Sequence, residues 1–166
     1  MPVTLTKGQK ISLEKEAGTK LTKVVMGLGW DAKKAQVDVV WFRQLRSKDG
    51  SITHSGDNLT GAGAGDDEQI VVDLTRVPAT VKTLVFVVNS FTGQNFSQIE
   101  NAFCRMVDQA NNREIARYDL SGGGSHTAQV MVKVYRHNDE WKMHALGETC
   151  NGRTFVELLP VIKPLL

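Results

Sequence analysis

The chain has 166 residues, enough for one domain with a sizeable core, and its 41% hydrophobic and 23% charged residues are ordinary for a globular protein. The 20 lysines and arginines against 18 acids leave a formal charge of +2, so nothing in the global balance points to nucleic acid or to an anionic membrane surface. The two cysteines, Cys104 and Cys150, match no zinc or CxxC spacing, which suits a reducing compartment where both fill apolar space.

No basic region followed by a long apolar run opens the chain, and no stretch approaches a membrane span, so a soluble cytoplasmic protein is expected. Val3-Thr4-Leu5 and Lys10-Ile11-Ser12-Leu13 alternate apolar with polar about Lys7-Gly8-Gln9, predicting two short strands in a hairpin. Leu21 to Trp30 reads as a third strand. Asp31 follows it at once, either a turn residue or a metal ligand from a second loop. After a polar link, Val37 to Phe42 resumes strand character. Gln69 to Leu74 and Thr83 to Asn89 are strands joined across Pro78, where pairing stops, and the almost wholly apolar second one is expected to be central.

Asn101 to Val107 and Glu114 to Leu120 form a hairpin whose turn uses Asn111 and Asn112, residues that accept left-handed backbone. Thr127 to Arg136 and Trp141 to Leu146 form another about His137-Asn138-Asp139-Glu140. Only Thr154 to Leu159 reads as helix, ended by Pro160. Many short strands separated by turn signals predict one all-β domain, an antiparallel β-sandwich of two sheets with a short C-terminal helix.

One stretch concentrates glycines and carboxylates: Ser55-Gly56-Asp57-Asn58-Leu59-Thr60-Gly61-Ala62-Gly63-Ala64-Gly65-Asp66-Asp67-Glu68. Glycine lets the backbone turn carbonyls inward, while Asp57, Asp66, Asp67 and Glu68 repel one another without a counter-ion. A hard divalent cation relieves that repulsion, and Ca2+ tolerates irregular oxygen geometry better than Mg2+. The span from Asp57 to Glu68 has the length and ends of an EF-hand loop, but Leu59, Gly61 and Ala62 occupy its inner ligand and glycine positions and no helices flank it. The competing reading is a solvated hairpin loop.

Other constellations carry less. His54, His126, His137 and His144 show no HxH or HExxH spacing, so packing or surface roles fit them better than zinc. No serine lies in a GxSxG elbow, neither cysteine has a neighbouring base, and Gly122-Gly123-Gly124-Ser125 lacks the lysine of a phosphate loop. Ser90 to Gln98 is a polar loop in which Phe91 and Phe96 are expected to staple into the core.

With these residues in view, the chain resembles the TerD family of bacterial tellurium-resistance and stress proteins, most closely its TerZ branch. The resemblance runs through Leu5-Thr6-Lys7-Gly8-Gln9, Val25-Met26-Gly27-Leu28-Gly29-Trp30-Asp31, Asp49-Gly50-Ser51 and His54-Ser55-Gly56-Asp57-Asn58. It continues in Gly65-Asp66-Asp67-Glu68, Gln94-Asn95-Phe96, Glu100-Asn101-Ala102-Phe103, Glu114-Ile115-Ala116-Arg117-Tyr118 and Tyr135-Arg136-His137-Asn138 with Trp141-Lys142. It implies a calcium-binding, non-catalytic β-sandwich in a cytoplasmic stress-response system. By the same resemblance the metal ligands fall on Asp31, Asp57, Asn58, Asp66, Asp67 and Glu68. The partners it implies are other stress-response proteins, a membrane-bound one among them, and neither nucleic acid nor lipid directly.

One departure is large. Family members usually carry an Asp-Leu-Asp strand where only Ala32 to Asp38 stands here. Either the sheet lacks a member, or two segments that are not contiguous have been joined. The second is the expectation, and a Cα spacing between residues 31 and 38 well beyond the ordinary value of about 3.8 Å would reveal it. The alternative activity, a metal-dependent hydrolase of phosphorylated or nucleotide substrates, needs an open metal position and a general base, and no convincing base is visible.

Overall fold

The computed structural model describes residues 2–28, 39–41, 43–56, 66, 68–90, 93–98, 102–120 and 124–166. In chain order the strands are β1 (Val3–Leu5), β2 (Lys10–Ser12), β3 (Lys23–Leu28), β4 (Ile52–His54), β5 (Glu68–Asp73), β6 (Thr83–Asn89), β7 (Phe103–Asp108), β8 (Arg113–Asp119), β9 (Ala128–His137) and β10 (Glu140–Cys150). Among the described residues two α-helices accompany them, α1 (Leu13–Ala17) and α2 (Phe155–Ile162). The strands form a six-stranded sheet in the order β1-β8-β7-β3-β5-β4 and a four-stranded sheet in the order β2-β10-β9-β6. Every pairing is antiparallel except β1 with β8. The two-sheet sandwich and its C-terminal helix are as expected.

Period-two alternation builds the core. From the six-stranded sheet Val24, Met26, Val72, Cys104, Met106 and Ala116 point inward, and from the other Phe86, Val88, Val132, Val134, Met143 and Ala145 meet them. Met26, Met106, Met131 and Met143 have no exposed surface. Their unbranched thioether chains fit irregular gaps between two twisted sheets, and each such burial contributes about 1.5–3 kcal/mol.

Both later hairpins form as expected. Asn112 has φ 55° in the β7–β8 turn, and Asn138 and Asp139, at φ 51° and 60°, make the two-residue turn between β9 and β10. Two successive left-handed residues match the right-handed twist of paired strands.

Several expectations are corrected. The segments Val3–Leu5 and Lys10–Ser12 are not a hairpin: β1 pairs with β8 and β2 with β10, so the turn at Gly8 crosses between sheets and is held by Gly8 N–H to the Ala145 carbonyl at 2.7 Å. After β2 comes α1, which the alternation concealed; Ser12 accepts from the Lys15 amide as N-cap, and Gly18 closes the helix at φ 76°. The strand β4 lies in a stretch for which no element was predicted. Among the described residues β6 is an edge strand, not a central one. It is apolar because both its faces are covered: Phe86 and Val88 join the inter-sheet core, while Val85 and Val87 pack under α2. Of the strand expected from Val37 to Phe42, the described residues show one bridge, Trp41 with Gln44. Pro160 lies inside α2 rather than ending it. The amide it lacks would have bonded the carbonyl of Val156, a residue that is exposed and whose carbonyl water can serve.

A bulge divides the outer face of the four-stranded sheet. Phe86 pairs with Val132 and Val87 with Val130, leaving Met131 extra, and opposite it β10 inserts Leu146 and Gly147 between Ala145 and Glu148. On one side of this bulge Ala128, Val130 and Leu146 are covered by Leu158 and its neighbours in α2. On the other side the face is polar.

Candidate functional site

The glycine-rich acidic stretch leaves β4 and returns as β5. Its ends are pinned together: the Ser55 amide donates to the Gln69 carbonyl at 2.8 Å, and the Gln69 amide donates to Ser55 Oγ at 2.9 Å. Of the six sequence-predicted ligands, Asp31, Asp57, Asn58 and Asp67 lie outside the described residues, as do the 31–38 interval and Phe91. Asp66 and Glu68 are described, and they lie on opposite faces of the six-stranded sheet.

Glu68 points inward. It pairs with Leu28 and shares a face with Ile70, whose cross-strand partner is His54. Glu68 is 2% exposed, and His54 Nε2 lies 3.5 Å from its Oε2. The Gly56 amide donates to His54 Nδ1 at 2.9 Å, so that nitrogen carries no proton and the neutral ring presents Nε2–H to the carboxylate. A carboxylate thus enters the end of the interior beside the acidic stretch, where burying a charge is costly unless it is compensated.

Asp66 points the other way, over Gly27. A Cβ at Gly27 would stand 2.5 Å from Asp66 Cγ, so only glycine admits the carboxylate there. Arg105, whose backbone pairs with Gly27, grips it in a two-point ion pair, Nε to Oδ1 at 2.8 Å and Nη2 to Oδ2 at 3.1 Å. Gln69 Nε2 adds a contact at 3.4 Å. Arg105 also donates to Glu114 Oε2 at 3.1 Å, and Glu114 accepts from Arg117 at 3.1 and 3.2 Å. Arg117 lies 4.0 Å over the Phe103 ring. Burial pushes the Glu114 carboxyl up, but the hydrogen bonds from Arg117 and Arg105 outweigh it and leave the group below its ordinary range.

The two carboxylates therefore differ in chemistry. Asp66 is held by the Arg105 guanidinium, whereas Glu68 lies beside the His54 imidazole; a carboxylate oxygen is the kind of donor a hard cation takes, and such an ion needs several of them. Among the described residues no group of three or more His, Cys, Asp or Glu side chains converges. Sequence reasoning missed His54 and Arg105 as neighbours of these acids. Strand alternation makes Arg105 outward-facing, but its partner is 39 residues away. Phe96 does staple inward, 3% exposed and stacked on His126 at 4.6 Å. Cys104 is an inert core residue whose thiol burial pushes up to about 12.

The TerD domain family model matches residues 1–39 and 34–159. Tellurium resistance protein TerZ of Serratia marcescens is 44% identical over 184 positions, covering 94% of each chain. General stress protein 16U of Bacillus subtilis is 40% identical, covering 92% of this chain and 93% of its own. A Streptomyces coelicolor homologue of telluride resistance protein (TerD) shares the fold with TM-score 0.63 at 18% identity, over 83% of this chain and 95% of its own. The TerZ alignment exceeds this chain's 166 residues, so that relative carries residues with no counterpart here, and the two parts of the family match overlap at 34–39. No helix among the described residues is long and apolar enough to cross a membrane. With the family model spanning most of its length and two relatives at 40% identity or more along it, the chain belongs to the TerD family.

Proposed function

We propose that this protein is a calcium-binding, non-catalytic module of a bacterial tellurite-resistance and stress-response system, acting in the cytoplasm through protein partners. The observation that carries the reading is Glu68, a carboxylate 2% exposed and turned into the interior where the glycine-rich acidic stretch returns to the sheet. Glu68 would hold the ion with Asp31, Asp57, Asn58 and Asp67, and His54 would orient it. Asp66, spent on Arg105, would position the returning chain rather than bind metal. When bound, calcium supplies positive charge that lets the stretch's carboxylates converge, presenting an ordered surface to a partner. The names of the relatives, resistance and stress proteins, support the system to which it is assigned.

Calorimetry with CaCl2 and MgCl2 tests the reading. Calcium should bind with measurable heat, magnesium more weakly, and the Asp57→Ala, Asp67→Ala double variant should lose the calcium signal. Unchanged calcium heat in that variant would reject it.

A further inference from the structure

Outside the acidic end, the polar half of the four-stranded sheet's outer face gathers cations. His144 on β10 pairs directly with Lys10 on β2 and with Lys133 on β9, so the three side chains form one row across three strands. In the next row Lys142 lies between Ser12 and Tyr135. Among the described residues none of Lys10, Lys133 and Lys142 forms an ion pair. Of the acids nearby, Glu140 accepts a hydrogen bond from Ser12 Oγ at 2.9 Å, and the Glu14 carboxylate accepts from the Trp141 amide at 3.1 Å. Lys10 and Lys133 stand two strands apart with His144 between them, so an anion over the ring meets a cation on either side.

We propose that Lys10, His144 and Lys133 form a binding site for a doubly charged oxyanion. Adjacent strands are about 4.8 Å apart. Lys10 and Lys133 therefore flank His144 closely enough for their flexible arms to close over it. Lys133 Nζ donates to the Leu165 carbonyl at 2.5 Å, which anchors one wall of the site and leaves two further protons to offer. His144 Nδ1 is buried and meets no hydrogen-bond partner. Burial, then Lys10 and Lys133, push the His144 imidazole below its ordinary value. An anion between the lysines reverses the last two effects, so binding and protonation of His144 reinforce each other. Two charges spread over several oxygens give each lysine its own acceptor atom, whereas a chloride ion offers a single atom and a single charge. Phosphate and tellurite share that chemistry. The site lies on the opposite sheet from Glu68 and does not depend on the cation reading.

The test is an NMR titration of the His144 ring protons, assigned with His144→Gln, using sodium phosphate and sodium tellurite against sodium chloride at matched ionic strength. A saturable shift with either dianion, together with a raised His144 pKa, is expected, and which dianion acts identifies the source. Lys10→Gln should weaken it about tenfold. Lys10→Gln leaves the Leu165 contact intact, so loss of the C-terminal anchor cannot mimic the result. Shifts no larger than those in chloride, or an affinity unchanged in Lys10→Gln, would overturn the proposal and leave a solvated basic face.

Discussion

Glu114 shows how a half-buried acid becomes a stabilising residue. Desolvation works against its charged form, yet hydrogen bonds from Arg117 and Arg105 outweigh that cost and hold its pKa below the ordinary 4.5. The sign follows directly. A carboxyl depressed on folding adds stability that is present above about pH 4.5 and fades as pH falls through the folded-state value. Glu114→Gln should therefore be less stable than the parent near neutrality, by about 1–2 kcal/mol, with the gap narrowing as urea denaturation is repeated at successively lower pH below 4.5. A gap independent of pH would mean that Glu114 contributes packing and not charge. The same network makes Asp66 a fastening point. Its two-point grip by Arg105 holds the last part of the acidic stretch against β3 and β7, on the face away from Glu68.

At the scale of elements, the bulge in β9 and β10 decides what each half of the four-stranded sheet can do. The register shift between Ala145 and Glu148 fits because Gly147 adopts φ +62°. It also leaves room for the Tyr118 hydroxyl, which occupies the place a Cβ would take. Gly147→Ala adds left-handed strain to a collision, so a loss of about 2–4 kcal/mol is expected, read as a lower denaturant midpoint. An unchanged midpoint would show that the bulge relaxes freely. Beyond the bulge the strands present an apolar strip to α2, and before it they present Lys133, Tyr135, Lys142 and His144. A short amphipathic helix and a bulge in two strands thus separate a structural surface from a polar one on the same sheet.

For the whole molecule, the calcium reading makes a statement about stability. A ligand that binds only the folded state adds about 2.7 kcal/mol at a hundred times its dissociation constant, which for a domain of this size raises the melting midpoint by about 5 °C or more. Thermal melts with saturating calcium and with a chelator should differ by that amount, and the Asp57→Ala, Asp67→Ala variant should melt alike in both. Identical melts of the parent protein would count against the site.

Much was legible without coordinates. Alternation in Phe103–Asp108 reveals a strand because a sheet with one buried face imposes a two-residue period, and the β-branched apolar run of Thr83–Asn89 reveals another. The Asn111-Asn112 and Asn138-Asp139 turns are written in residues that tolerate positive φ. The family could be recognised from motifs along the chain. What the sequence left open were relations between distant segments. It showed a nearly continuous apolar run in β6 but not that α2 covers the outer side, and two alternating segments near the start but not that they join different sheets. Four neighbouring acids implied a shared counter-charge, since like charges close along a chain must be compensated. Only the tertiary structure separated Asp66 from Glu68, because the sheet has two faces and each carboxylate found a different partner across it, Arg105 on one side and His54 on the other.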